Sequence, residues 1–176
     1  MKKFSITLLF ILLSLLLQNC SILPIYQIKT INDPYYKSTI ITEQWNKVHS
    51  FFESIALNLR YSPDYNKLEL RFDYIDDKWL FIQQYNSFLF LFEDDDVLTL
   101  STSSSPNRDV RSGSGGGIRE WGNITLYKED FSKLLNKKLK SLRVIGSKYH
   151  VEFKIGFPTL QNRWRNFSKL HLDKYW

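Results

Sequence analysis

Between Ile55 and Tyr74 apolar and polar residues alternate with a period of two, and no other pattern in the chain restricts its fold as sharply. Leu57, Leu59 and Tyr61 fall on one side, Ala56, Asn58 and Arg60 on the other. After the turn-forming stretch Ser62-Pro63-Asp64-Tyr65-Asn66, Leu68, Leu70, Phe72 and Tyr74 alternate with Glu69, Arg71 and Asp73. Successive side chains of a pleated strand point to opposite faces. The stretch therefore predicts an antiparallel hairpin with one buried and one wet face. The 13 Phe, 10 Tyr and 5 Trp extend that expectation to much of the chain, because aromatic side chains suit half-buried pleated surfaces.

Downstream, Asp76-Asp77 is expected to turn the chain into a central hairpin. Its two arms, Trp79-Leu80-Phe81-Ile82 and Phe88-Leu89-Phe90-Leu91-Phe92, are apolar on both faces, as in strands covered on both sides. Glu93-Asp94-Asp95-Asp96 is a further turn, and Val97 to Thr102 alternates again. Ser103 to Gly117, rich in Ser and Gly, reads as a mobile loop. A strand resumes at Ile118 and runs to about Tyr127, with a bulge or a close approach at Gly122. Lys128 to Lys140 predicts an amphipathic helix, with Phe131, Leu134, Leu135 and Leu139 on one face. Glu129 and Asp130 open it and Lys137, Lys138 and Lys140 close it, as the helix dipole favours. Ser141–Ile145 and Tyr149–Ile155 then pair around Gly146-Ser147. Thr159 caps a last helix striped by Leu160, Trp164, Phe167 and Leu170.

Residues 38–52 remain open between two readings. Thr42 can cap a helix carrying Trp45, Val48, Phe51 and Phe52, whereas Thr39-Ile40-Ile41-Thr42 is β-branched throughout, as in a strand. The expected fold class is α+β: a mainly antiparallel meander sheet of about seven or eight strands, a helix near 128–140 and a C-terminal helix near 159–171.

The N-terminus carries a different kind of signal. Lys2 and Lys3 precede an apolar run from Leu8 to Leu17, broken only by Ser14, and Gln18-Asn19-Cys20 follows. A basic start, a short apolar core and a polar exit make a secretory signal peptide, too short for a membrane-spanning helix of ~20 residues. The ending Leu17-Gln18-Asn19-Cys20 resembles the lipobox of bacterial lipoproteins in a relaxed form, since small residues are more usual at the two middle positions. That resemblance implies cleavage before Cys20, acylation of Cys20, and residence in the cell envelope, at the outer membrane. Cys20 is the chain's single cysteine, so no disulfide framework competes for it. The implied organisation is a signal over 1–19, a lipid-anchored tether over 20–36 and one α+β domain over 37–176. Cleavage would remove Lys2 and Lys3 and lower the formal charge from +6 to about +4, a mild excess that excludes a nucleic-acid signature.

The remaining candidates for chemistry are few. Glu93-Asp94-Asp95-Asp96 has the hard oxygen ligands of a cation site but lacks the glycine and glutamate of an EF-hand loop, so a solvated turn is the plainer reading. Gly113-Ser114-Gly115-Gly116-Gly117 lacks the Lys-Ser/Thr of a phosphate loop and runs into a strand rather than a helix. The cations around it, Arg108, Arg111 and Arg119, are the candidate contacts to an anionic lipid or glycan. His49, His150 and His171 have no metal-ligand spacing, and no Gly-x-Ser-x-Gly elbow occurs. Arg163-Trp164-Arg165 with Tyr175-Trp176 is either an interfacial patch or, by the helix stripe, core packing. The expectation is a non-catalytic binding module without cofactor or metal. Its partners would be the membrane, through acyl chains on Cys20, and an envelope protein or an anionic lipid or glycan. A carrier of a lipid or other apolar ligand is the alternative, and an envelope hydrolase a further one.

Overall fold

The computed structural model describes residues 27–34, 37–44, 47–49, 54–111, 117–155 and 159–172. Eleven strands are described: β1 (Gln27–Asp33), β2 (Ser38–Gln44), β3 (Lys47–His49), β4 (Ser54–Ser62), β5 (Lys67–Asp76), β6 (Phe88–Phe92), β7 (Val97–Leu100), β8 (Asn107–Arg111), β9 (Gly117–Leu126), β10 (Leu139–Ile145) and β11 (His150–Lys154). Two helices accompany them, α1 (Lys128–Asn136) and α2 (Thr159–His171), and a single 3-10 turn, Pro63–Tyr65, joins β4 to β5. The fold class is α+β with mainly antiparallel sheet, as the sequence predicts.

The strands form two sheets. The first runs β1-β2-β4-β5-β9-β8, with β3 also paired to β4, and the second β11-β10-β6-β7. Ile55, Leu57, Leu59 and Tyr61 of β4 and Leu68, Leu70, Phe72 and Tyr74 of β5 are buried on the inner face of the first sheet. Phe88, Phe90 and Phe92 of β6 answer them from the second. The layers meet ring to ring, Phe72 to Phe88 at 4.8 Å and Tyr74 to Phe153 at 6.5 Å between centroids. Each such side chain removed from water contributes roughly 1.5–3 kcal/mol. Helices α1 and α2 add Phe131, Leu134, Leu160, Trp164 and Phe167 to the same core. Gln161 of α2 donates to Leu134 O and Lys137 O, both at 2.7 Å, and so caps the C-terminus of α1.

Several expectations change in the fold. Trp79-Leu80-Phe81-Ile82 is no strand; it makes one isolated bridge, Ile82 to Gly146. Both edges of β5 are already taken by β4 and β9, so the chain beyond Asp76 has no edge to fold back on and crosses to the second sheet instead. Residues 27–33, expected in the tether, form the edge strand β1. Residues 107–111, expected in the mobile loop, form β8. The strand reading holds over Ser38–Gln44, while Trp45, Phe51 and Phe52 lie outside the described residues. Helix α1 ends at Asn136 and Leu139 belongs to β10. At Gly122 the register with β5 is unbroken, so there is no bulge, and a Cβ there would stand 3.0 Å from the Phe72 ring. Leu170 is exposed and Leu172 is buried in its place. Cys20, residues 113–116 and Tyr175-Trp176 lie outside the described residues.

Candidate functional site

Directly opposed residues of an antiparallel pair share a face, so the β8–β9 register sorts the three candidate arginines. Arg108 stands opposite Glu120, Asp109 opposite Arg119, and Arg111 opposite Gly117. Glu120 is on the buried side, which places Arg108 inward, whereas Arg119 and Arg111 share the outer face with Asp109. The sequence grouped these arginines around one loop; the ladder separates them.

Arg108 is committed to structure. Its Nε donates to Glu120 Oε2 at 3.1 Å and its Nη2 to Ile82 O at 3.0 Å. Glu120 has no solvent exposure and also accepts the Phe81 and Ile82 amides at 2.7 and 2.8 Å. A carboxylate so placed must be paired, and Arg108 supplies the opposite charge.

Arg119 lies over the outer face in a fork with Asp73, Nε to Oδ1 at 2.7 Å and Nη2 to Oδ2. Its guanidinium is stacked 4.8 Å above the Trp121 ring. The Asp73 hydrogen bond raises the Arg119 pKa, so the cation is permanent. Around this pair the outer face sinks, because Ala56 opposite Asp73 and Lys47 opposite Ala56 leave only a methyl between longer side chains. Two depressions adjoin there. One, of about 230 Å³, is lined by Arg111, Arg119, Lys47, Ala56 and Asp73 among others. The second, of about 270 Å³, shares Lys47, Ala56 and Asp73 and adds Arg71 and Asn58.

The groove therefore gathers Lys47, Arg71, Arg111 and Arg119 from four strands around one central carboxylate, Asp73. Arg119 is matched by Asp73, whereas Arg71 and Arg111 have no ion-pair partner among the described residues and are exposed. The other lining carboxylate, Glu43, is buried and accepts the Leu59 amide at 2.9 Å, closing a gap in the β2–β4 ladder. On the same face Arg60 has its Nε buried with no hydrogen-bond partner. The arrangement is an open cationic trough with a fixed guanidinium fork in its floor. The sequence named Arg111 and Arg119 of this set and missed Lys47, Arg71 and Asp73. The signal was present in the polar half of the β5 alternation, where Glu69, Arg71 and Asp73 face outward together.

The acidic turn Glu93-Asp94-Asp95-Asp96 is matched by lysines. Lys137 Nζ contacts Asp94 and Asp96, each at 2.7 Å, Lys138 pairs with Glu93 at 2.7 Å, and Lys140 reaches Asp95 at 3.5 Å. Among the described residues no three His, Cys, Asp or Glu side chains gather as metal ligands would. Arg163 and Arg165 flank Trp164, which is wholly buried, and Arg165 donates to Leu135 O at 2.9 Å, so this stretch is core and helix cap. No protein-family profile, curated protein or solved structure matches this chain, so its reading rests on the trough itself.

Proposed function

We propose that the chain is a lipid-anchored binding module of the bacterial cell envelope, seated at the outer membrane through Cys20, that holds an acidic glycan in the outer-face trough. Anchoring is supported by Lys2, Lys3, the apolar run and Leu17-Gln18-Asn19-Cys20; two or more acyl chains are enough for stable retention. Glycan binding is supported by one observation above all: Lys47, Arg71, Arg111 and Arg119 gather around Asp73 in an open groove whose other lining carboxylate, Glu43, is buried and held by the Leu59 amide. Such a groove suits carboxylates repeated along a polymer. Arg119, whose fork is taken by Asp73, adds fixed positive charge to the floor, Arg71 and Arg111 are exposed to bidentate contact, and Asn58 adds a polar hydrogen-bonding group.

The test is retention of the protein on immobilised polygalacturonate, an acidic polysaccharide, with neutral dextran as control. Retention at low salt that declines as salt rises is expected, because the Debye length shortens to ~10 Å at 0.1 M. Removing both free guanidiniums, Arg71→Ala with Arg111→Ala, should weaken retention on the order of tenfold or more, at ~1.5–3 kcal/mol per charge-assisted contact. Equal retention of parent and double variant would remove the trough from the account. Anchoring is tested separately, by palmitate incorporation in the parent against Cys20→Ser; label that survives the substitution would defeat it.

A further inference from the structure

Phe81 is a bulky residue with a backbone φ of +54°, a conformation that L side chains rarely adopt. Its ring is not buried in return; the residue keeps 38% of its surface exposed. What holds it is the pair of hydrogen bonds that the Phe81 and Ile82 amides donate to buried Glu120, with the Arg108 guanidinium 5.5 Å from the Phe81 ring centroid. Trp79 stacks on the same ring at 5.7 Å and 26°. The neighbouring loop is clamped against this one. Tyr149 Oη donates to Trp79 O at 3.2 Å, Ser147 N donates to Phe81 O at 3.1 Å, and Gly146 lies directly under Leu80 O. Tyr149 is 39% exposed, Lys148 precedes it in the chain, and Lys78 and Lys148 are exposed, as is Asp77 next to Lys78. The tip thus presents Phe81, Tyr149 and two Lys to the outside, with half-buried Trp79 stacked on the Phe81 ring.

The tip lies at the end of the first sheet toward which the N-terminal end of β1 points. Strand β5 leaves the sheet there at Asp76, and β1 enters from that direction at Gln27, opposite Gln44. The β2–β4–β5 registers put Gln44 about level with Arg71, five residues or ~17 Å short of Asp76. The seven residues from Cys20 to Gln27 reach up to ~25 Å, so Cys20 can lie in the plane of the tip.

We infer that this aromatic and basic tip is a docking surface for the bilayer, seated in the headgroup layer beside the acyl anchor. Trp and Tyr favour that layer because one end of each is apolar and the other wet, and lysines there are drawn to anionic headgroups. Docking holds the strands upright on the membrane and turns the cationic trough sideways, away from lipid headgroups and toward a polymer. The orientation rests on the anchoring reading; the contact of Trp79 with lipid does not.

The experiment uses the palmitate-labelled chain in vesicles of phosphatidylcholine and phosphatidylglycerol with brominated acyl chains, which quench tryptophan at short range. The parent should co-float with the vesicles and lose tryptophan emission, and Trp79→Phe should co-float with most of that quenching gone. Co-flotation with no quenching, or quenching equal in parent and Trp79→Phe, overturns the tip and leaves the anchor standing. Co-flotation without palmitate label but with Trp79-dependent quenching supports the tip and defeats the anchor. A Trp79 emission change on adding polygalacturonate, in place of quenching by lipid, overturns the proposal in favour of a sugar platform.

Discussion

Two arginines three positions apart on β8 have opposite roles because a strand turns every second side chain over. Arg108 is the counter-charge of a fully buried carboxylate, and Arg111 is exposed at the rim of the trough. Their alanine variants should separate accordingly. Arg108→Ala leaves buried Glu120 without its cation and, because the guanidinium is itself partly exposed, should cost about 1–3 kcal/mol of stability. Arg111→Ala removes an exposed side chain and should stay within about 0.5 kcal/mol of the parent, while weakening polygalacturonate retention. Urea unfolding midpoints measure the first difference. An Arg108→Ala midpoint equal to that of Arg111→Ala would show that the Glu120 clamp does not hold the fold.

At the scale of elements, the glycines and the acidic turn give two further expectations. A Cβ at Gly146 would lie 1.9 Å from the backbone Leu80 O, whereas one at Gly122 would meet the Phe72 ring at 3.0 Å. A ring edge can shift by tenths of an ångström and a paired backbone cannot. Gly146→Ala should therefore lose about 1–3 kcal/mol or more, and Gly122→Ala distinctly less; melting temperatures rank them, and the reverse order would refute the tight packing of the two tip loops. The turn after β6 is fastened to Lys137, whose hydrogen bonds hold the Asp94 and Asp96 pKa values below 3.8, while theirs hold Lys137 above 10.5. Depressed carboxylate pKa values stabilise the fold above pH 3.8, a gain lost as pH falls through their folded values. The raised lysine pKa stabilises it below pH 10.5, a gain lost as pH climbs through its folded value. The melting-temperature gap between parent and Lys137→Met should be fully open between those limits and close beyond both; a gap that persists at pH 2 would mean the ion pairs are not its source.

Elements also differ in how far the sequence reveals them. The alternation over Ile55–Tyr74 contains its own face assignment, and the stripe Leu160-Trp164-Phe167 its own helix, because both periods are local. β8 is hidden in a Ser- and Gly-rich stretch; its five residues are all exposed, so it has no apolar alternation and exists by pairing with β9. Trp79–Ile82 fails in the opposite sense, having strand composition but no free edge to pair with. The trough is legible only in halves, since Arg111 and Arg119 are close in the chain, whereas Lys47, Arg71 and Asp73 reach them through the order β3-β4-β5-β9-β8. Local pattern gives faces; which strands become neighbours depends on pairing across long separations.

For the molecule as a whole, that strand order sets where it opens. β5 is paired along its length on both sides and buries Leu70, Phe72 and Tyr74 completely, so its amides exchange only when the sheet itself comes apart. β1 and β8 are edges, each paired to a single neighbour with most side chains in water, and they can fray without disturbing the core. Native-state hydrogen exchange should thus be slowest in β5 and the facing half of β9, slow in β6 and β10, and fastest in β1 and β8. Amides of β8 as slow as those of β5 would mean that the edge strands do not fray independently of the core. The consequence reaches the trough: Asp73 and Arg119 lie on the slowest pair, while Lys47 lies on the short, three-residue β3 and Arg111 on the edge strand β8. A bound polymer must draw those outer cations inward to share its charges, so polygalacturonate should protect β3 and β8 selectively and leave β5 unchanged. Protection spread evenly over every strand would instead mark nonspecific adsorption to a basic surface.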